Sequence, residues 1–281
     1  MFKHGRAVTG KARVGVAALA ALGFVAIGFG SSASGSSSNE LAAIKKAGVI
    51  RIGMAQDPPF EFTTSSGTWT SFDPILDEKL AAYLGVKVKF VTTGWTGIVA
   101  GLQTNKYDII GADINATAPR KKVIAFTQPY YQTGTSFFGA AAKANIFDSV
   151  AALNKPSVTV AVVTGSDNET AVSTYLPKAS VRALPNASIA NLVSEVLSGR
   201  STVLATSTYL AASLTSKYHF FVQPSLAKSP YGVLPVGVAW GLPKGQPQLL
   251  AAMNAFLAQE TKNGDIAKLK KAWLTPANAL K

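Results

Sequence analysis

The sequence predicts an α/β protein built of two lobes. Strand and helix patterns alternate along the chain, and the alternation begins again near residue 157 after an extended apolar link. Alternating strands and helices are typical of sheets whose neighbouring parallel strands are joined by crossover helices. With 281 residues, 48% of them hydrophobic and 15% charged, the chain is long enough to form two cores.

The elements of the first lobe are predicted from periodicity and from glycines that end helices. An amphipathic helix ends at Gly48, a second helix with apolar residues three and four apart ends at Gly85, and "VKVKFV" alternates like a half-buried strand. In order, the sequence predicts a helix over 41–47, a strand over 49–54, a helix over 72–84, a strand over 86–91, a helix over 94–106 and a strand over 107–112.

The second lobe repeats the alternation. In order, the sequence predicts a strand over 157–163, a helix over 169–176, a strand over 180–184, a helix over 188–199, a strand over 202–205 and a helix from about 207. Two terminal helices, over 247–264 and 265–274, then follow an extended stretch.

Two extended stretches, at 135–143 and 231–243, connect the lobes. If the terminal helices pack on the first lobe, the chain crosses between the lobes twice, and two such crossings form a hinge. We therefore expect a first lobe over 34–138, a second lobe over 139–235 and a return to the first lobe over 236–281. The cleft should lie where the strand ends converge.

The rarity of reactive side chains argues against hydrolytic chemistry. The chain has no cysteine and only two histidines, His4 and His219. These counts exclude disulfides, thiolate or three-histidine metal sites and a cysteine nucleophile, and a serine–histidine triad would have to use His219. His219 belongs to the strand-like run "SKYHFF", where we expect a packed side chain. We therefore predict no catalytic residue, no metal and no cofactor.

The first 33 residues have the pattern of a secretory signal peptide. Four basic residues precede the apolar stretch 14–29, and small and polar residues follow it. This stretch falls short of the roughly 20 residues that a membrane span needs. We predict cleavage after Ala33 and an exported protein that is periplasmic or extracellular.

The net charge of +13 does not predict a nucleic-acid partner. Basic residues are scattered apart from short clusters at 120–122 and 268–271, and neither cluster interleaves with aromatic residues as a stacking platform would. A solvated basic surface accounts for the charge better.

The order of motifs resembles a known family. The supporting stretches are "VIRIGMAQDPPFEF", "SFDPILDEKLAAYLGVKVKFV", "GWTGIVAGLQTNKYDIIGADINATAPRKKVIAFTQPYY", "VAVVTGSDNE", "YGVLPVGVAWGLPKG" and "LLAAMNAFLAQETKNGDIAKLKKAW". In this order they resemble the extracellular solute-binding proteins of polar amino acid ABC importers, over about residues 40–276. The resemblance implies a two-lobed type II periplasmic-binding-protein fold, each lobe a mixed sheet flanked by helices, with two extended hinge crossings.

The resemblance also implies a function. Such a protein captures a small carboxylate-bearing solute between its lobes and delivers it to the membrane permease of an ABC importer. We expect a monomer that is not an enzyme. The alternative is a periplasmic enzyme on the same scaffold, since some relatives are dehydratases of cyclohexadienyl acids, and a positioned acid in the cleft could serve such chemistry.

Several first-lobe residues match the family's ligand positions. Arg120 and Thr117 match a carboxylate grip, aided by backbone groups around Asn115, because a guanidinium binds a carboxylate through two parallel hydrogen bonds. Trp95 falls where an aromatic ring stacks on the ligand, and Phe60 is a further aromatic candidate. The competing interpretations are a surface arginine for Arg120 and core packing for Trp95 and Phe60.

The turn "TGSDN" matches a contact that the family makes from the second lobe. Gly165, Ser166 and Asp167 lie at a predicted helix start, where free N–H groups attract an anionic group. An ordinary capping turn explains the same residues.

The sequence departs from the family where an aspartate usually binds the ligand's α-ammonium. Thr206 and Ser207 stand there, and a hydroxyl cannot neutralise an ammonium. Asp57 and Asp113 have two interpretations: either they supply the missing charge, or they only stabilise their own turns. In the first case the ligand is a basic amino acid, an opine-like derivative or a zwitterionic osmolyte; in the second it is a simpler carboxylate.

Overall fold

A computed structural model describes residues 39–275 and 277–278. The predicted signal peptide and its cleavage site at Ala33 lie outside these residues and stay predictions. Within the described ranges, no helix combines the length and apolarity needed to cross a membrane.

The described elements alternate between strands and helices, as the sequence predicts. The strands are β1 Val49–Met54, β2 Phe62–Thr63, β3 Trp69–Thr70, β4 Lys87–Thr92, β5 Ile109–Ile110, β6 Ala125–Phe126, β7 Tyr131–Ala140, β8 Thr159–Val163, β9 Ser180–Leu184, β10 Val203–Ser207, β11 Phe220–Gln223, β12 Val233–Val238 and β13 Gly241–Leu242. The α-helices are α1 Glu40–Ala47, α2 Phe72–Leu84, α3 Ile98–Gln103, α4 Ala118–Val123, α5 Val150–Leu153, α6 Asp167–Tyr175, α7 Ile189–Leu197, α8 Ala211–Tyr218, α9 Pro247–Lys262 and α10 Asp265–Trp273. Short 3₁₀ turns cover Ala141–Lys143 and Thr208–Leu210.

The first lobe is a mixed five-stranded sheet in the order β4-β1-β5-β13-β6. β1 pairs in parallel with β4 and β5, whereas β13 is antiparallel to β5 and β6. Its core joins apolar residues of β1 and α2, such as Ile52 and Leu76, to Met253 of α9 and Ile266 of α10. The two terminal helices therefore pack on the first lobe.

The second lobe is a mixed sheet in the order β11-β7-β10-β8-β9, and β12 also pairs with β7. Because side chains alternate between the faces of a strand, β8 contributes to two cores. Val160 and Val162 pack with Val172 of α6, and Ala161 packs with Leu192 of α7. Burial of both faces explains why "VAVV", residues 160–163, is an unbroken apolar run.

Two neighbouring antiparallel strands connect the lobes. The chain enters the second sheet through β7 and leaves it through β12, before β13 rejoins the first sheet. The predicted lobe boundaries at 138/139 and 235/236 fall inside β7 and β12 and stay predictions.

Two local predictions are wrong. The helix predicted over 94–106 is limited to Ile98–Gln103, because Gly94 and Gly97 are poor helix formers and form a turn instead. His219 is not a packed strand residue: it is exposed, and it ends α8 in a left-handed conformation with φ 52°.

Candidate functional site

A cavity of about 690 Å³ lies between the two lobes. Its walls come from the segments that follow β1, β4 and β5 in the first lobe and β8, β9 and β10 in the second. In open α/β sheets, ligand sites form at the carboxyl ends of strands, which is where this cavity lies. Its size suits a small solute.

The structure brings eight of the twelve predicted site residues to this cavity. The cavity-lining residues among them are Asp57, Trp95, Asp113, Asn115, Ser166, Asp167, Thr206 and Ser207. The other four, Phe60, Thr117, Arg120 and Gly165, do not line it. Their roles as ligand contacts stay predictions.

Three carboxyl groups give the cavity an acidic wall. Asp57 is half-buried in the turn after β1, Asp113 is 2% exposed after β5, and Asp167 is 7% exposed at the start of α6. Of the described residues that line the cavity, none is a lysine, arginine or histidine. A solute that enters therefore meets carboxyl groups from both lobes and no basic side chain of the wall itself.

Several polar atoms of this wall are buried without a protein partner. Within the described part of the chain, Asp113 Oδ1, Asn115 Oδ1 and Asp167 Oδ2 accept no hydrogen bond. Buried polar atoms normally have partners, and those that lack one in a cavity are ready to bind a ligand. All three atoms are hydrogen-bond acceptors, Asn115 Oδ1 in the amide orientation that the structure shows. They therefore suit a ligand that donates hydrogen bonds.

Burial changes the protonation of the cavity acids. It raises the pKa of Asp57 to about 7, and the nearby Asp167 carboxylate adds to the rise. Burial also raises the pKa of Asp113 well above its ordinary value, and Asp57 raises it further, while Arg120 acts in the opposite direction. Loss of hydration disfavours a charged carboxylate, and a second carboxylate adds repulsion.

Arg120 lies behind the wall and bridges the lobes. Its side chain is buried in α4, and it donates from Nη1 to the carbonyl oxygen of Asn115 at 3.1 Å and from Nη2 to that of Gly165 at 3.2 Å. Burial lowers the pKa of its guanidinium, and Asp167 and Asp113 partly offset this. The surface-arginine interpretation is wrong, because the side chain is only 8% exposed.

Thr117 is the N-cap residue of α4, the helix that contains Arg120. It is 7% exposed with extended backbone angles, and its N–H donates to the Asn115 carbonyl at 2.9 Å. This tight turn places Asn115 in the cavity wall and Arg120 directly behind it.

The two aromatic candidates have different surroundings. Trp95 packs against the cluster that contains Ile98 and Tyr107, as the core interpretation expects, and it also lines the cavity; its stacking on a ligand stays a prediction. Phe60 is fully buried, with its ring 5.1 Å from that of Tyr131 and 4.7 Å from that of Tyr209. Phe60 therefore belongs to the hydrophobic core of the first lobe, next to the crossing strand β7.

The turn at the start of α6 is a helix cap that also faces the cavity. Ser166 Oγ accepts from Glu169 N at 3.3 Å and donates to the Val163 carbonyl at 2.7 Å. Gly165 adopts φ 79°, and a Cβ there would lie 3.1 Å from Thr96 Cα across the cleft. The capping interpretation is correct for Ser166, and the turn also brings the lobes into contact.

Sequence reasoning missed part of the second-lobe wall. Residues 186–189, between β9 and α7, line the cavity, and the side chain of Asn186 packs on Gly94 of the first lobe. Asn168 also lines the cavity. The parallel pairing of β8 with β9 could have indicated residues 186–189, because the ends of parallel strands share one edge.

Comparisons with known proteins agree with this geometry. Residues 50–276 match the profile of the bacterial extracellular solute-binding proteins, family 3. The L-arginine-binding protein of Pseudomonas aeruginosa is 27% identical over 237 residues, which are 80% of this chain and 88% of that protein. The cyclohexadienyl dehydratase of the same organism is 26% identical over 180 residues, which cover 64% of this chain and 66% of the dehydratase.

A solved structure is similar over nearly the whole described chain. It is the crystal structure of the ancestral amino acid-binding protein AncCDT-1, described as a precursor of cyclohexadienyl dehydratase. The two chains are 36% identical with a TM-score of 0.74, and the match covers 84% of this chain and 99% of the other.

Proposed function

Because this chain belongs to the bacterial extracellular solute-binding proteins of family 3, we propose that it is the substrate-binding receptor of an ABC importer for a cationic amino acid or a close derivative. Its fold is the two-lobed type II fold of periplasmic binding proteins. On this proposal the protein is exported, captures its solute between the lobes and delivers it as a monomer to a membrane permease.

The acidic wall of the cavity is the main observation in favour of a cationic solute. Asp57 and Asp113 face Asp167 across the cleft, and the wall itself adds no basic side chain among the described residues. A cation between them would meet opposite charge from both lobes, which offsets the loss of its hydration. The L-arginine-binding relative makes L-arginine the first probe to test.

Arg120 is the proposed partner of the solute's carboxylate. A guanidinium has five N–H donors in a planar fork, and the two hydrogen bonds to Asn115 and Gly165 leave others free. Its position directly behind Asn115 supports this role. A solute that contacts residues of both lobes would bind the closed form more tightly than the open form. This difference in affinity is what closure of the cleft requires.

We expect L-arginine to raise the melting temperature of the receptor in a thermal-shift assay. Saturation at 100 times Kd stabilises a protein by about 2.7 kcal/mol, which corresponds to roughly 5–10 °C for a chain of this size. L-Citrulline, which has the same shape without the side-chain charge, should give a much smaller shift. If neither arginine, lysine, opines, polyamines nor betaines shift the melting temperature, the proposed function is wrong.

A cyclohexadienyl dehydratase is the second candidate. The similar dehydratase and the raised pKa of Asp113 favour it, since a carboxyl that stays protonated near neutral pH can act as a general acid. Most of the similar proteins are nevertheless named as binding proteins. We expect prephenate and arogenate to remain at their initial concentrations after incubation with the protein, as measured by chromatography. Their conversion at a rate proportional to protein concentration would favour the enzyme instead.

A further inference from the structure

A continuous line of carboxyl groups extends from the cavity into the core of the first lobe. Asp57 and Asp113 line the cavity, and Glu61, Asp73 and Asp77 lie behind them, each of these three with no exposed surface. We call these five residues the acid line. Buried acids are rare unless they are paired with a base or bound to a ligand.

Contacts along the acid line join its members in order. Asp57 N donates to the Glu61 carbonyl at 2.9 Å, and Asp113 N lies 3.4 Å from Glu61 Oε2. Asp73 faces Glu61, and its Oδ1 accepts from the Tyr130 hydroxyl at 2.9 Å. Asp77 follows one turn later in α2, with its carboxyl group packed against Gly111.

Most of these carboxyl groups have an oxygen with no partner. The oxygens that accept no hydrogen bond from any described residue are Glu61 Oε1, Asp73 Oδ2, Asp77 Oδ1, Asp77 Oδ2 and Asp113 Oδ1. A buried carboxylate without partners is far less stable than the protonated acid. The geometry therefore favours bound protons along the line in the free receptor.

The groups that face the acid line do not remove this preference. The charged or titratable groups around it are Asp167, Arg120, Glu78, Tyr209, Tyr130 and Tyr131. Arg120 lowers the pKa of Asp113, but burial and the neighbouring acids together raise it. Burial likewise raises the pKa of Asp73 to about 8 and that of Glu61 well above its ordinary value.

Two acceptor atoms outside the acid line favour binding of a ligand where the line reaches the cavity. Asn115 is 3% exposed, Asp167 is 7% exposed, and Asn115 Oδ1 and Asp167 Oδ2 have no hydrogen-bond partner within the described ranges. Both residues line the cavity beside Asp113. A donor-rich cation would satisfy these acceptors and lie next to the first carboxyl group of the line.

We propose that binding of the solute's cation expels protons from the acid line, so that the receptor takes up its solute in exchange for protons. This inference rests on the proposed function. A cation within a few ångströms of a carboxyl group favours the ionised form by about 1–3 pKa units. Asp113 ionises in the complex, and its proton leaves to solvent.

Glu61 is the positioning residue of this exchange. It does not line the cavity, but it holds the turn of Asp57 through its carbonyl oxygen and faces Asp113 through its carboxyl group. Burial and Asp113 raise the pKa of Glu61 well above its ordinary value, so Glu61 keeps its proton and the proton that binding expels leaves from Asp113.

Calorimetric titration of L-arginine into the full protein at pH 7, in buffers of different ionisation enthalpy, tests this exchange. We expect release of about one proton per bound solute, and affinity that rises about tenfold per pH unit between pH 6 and 8. Asp113→Asn should release less than half as many protons, whereas Asp148→Asn, at an exposed position outside the cavity, should behave like the wild type.

The outcomes separate this inference from the proposed function. Binding of L-arginine with an enthalpy that does not depend on the buffer would overturn the proton exchange and leave the solute receptor intact. Equal proton release by Asp113→Asn and the wild type would overturn the role of Asp113. Failure of all the tested cations to bind would overturn both.

Stability of the free receptor gives a readout that needs no solute. Acids whose pKa is raised by folding stabilise the fold at low pH, and this contribution is lost as pH rises through the raised pKa values. Because folding raises the pKa of Asp57 to about 7 and that of Asp73 to about 8, the melting temperature should fall from about pH 5 to about pH 8. Glu61→Gln should flatten the fall; a melting temperature that rises over this range would contradict a protonated acid line.

Discussion

Arg120→Ala is expected to weaken the binding of a carboxylate-bearing cation such as L-arginine by at least about 30-fold, because removal of one partner from a buried charge pair typically costs about 2–5 kcal/mol. The guanidinium is buried behind Asn115 and already bridges to Gly165. The truncation would therefore remove both the partner of the carboxylate and a contact between the lobes. Calorimetric titration of the variant measures the loss directly.

A second ligand separates these two contributions. Agmatine has the guanidinium group of L-arginine but no carboxylate, so the loss of the carboxylate grip should not affect it. We expect Arg120→Ala to weaken the binding of L-arginine much more than the binding of agmatine. Arg200→Ala, which removes an exposed arginine paired with Glu195, serves as the control and should leave both affinities unchanged. Equal losses of affinity for the two ligands would mean that Arg120 only holds the lobes together.

Regular elements were predictable because their periodicity is local. α2 ends at Gly85 in a left-handed conformation, as its sequence indicates, and β4 alternates in exposure along its length. The turn that places Asn115 and Arg120 was also predictable from a short stretch. In each case, the residues that decide the conformation are close neighbours in the chain.

The acid line was harder to predict because it depends on contacts between distant segments. Asp73 and Asp77 are four residues apart and share a helix face with Leu80 and Leu84, so the pattern contained a signal that two acids point into the core. Nothing local, however, indicates that Glu61 faces Asp113, 52 residues later in the chain. The packing of Asn186 on Gly94 likewise arises only when the lobes meet.

Ser207 links these observations to the choice of solute. It is 4% exposed at the end of β10 and lines the cavity, where the resemblance predicts an aspartate. The opposite wall carries Asp57 and Asp113 instead. The acidic groups of the cleft therefore lie mainly on the first lobe, where burial raises their pKa values.

Asp113→Asn tests whether this displaced charge selects the solute. A hydrogen bond to a charged group contributes about 1.5–3 kcal/mol, so we expect the affinity for L-arginine to fall about 10- to 100-fold. L-Citrulline lacks the charge that Asp113 would meet, and its affinity should change by less than about threefold, since asparagine keeps an acceptor oxygen. The wild-type preference for arginine over citrulline should therefore collapse in the variant.

Asp148→Asn is the matched control, because Asp148 is exposed and lies outside the cavity. The melting temperature of ligand-free Asp113→Asn verifies folding, and it should exceed that of the wild type at pH 8, where the buried carboxyl group is forced towards its charged form. If the variant is stabilised in this way yet still prefers arginine to citrulline as strongly as the wild type, Asp113 is a structural acid and the cation must be bound by Asp57 or Asp167.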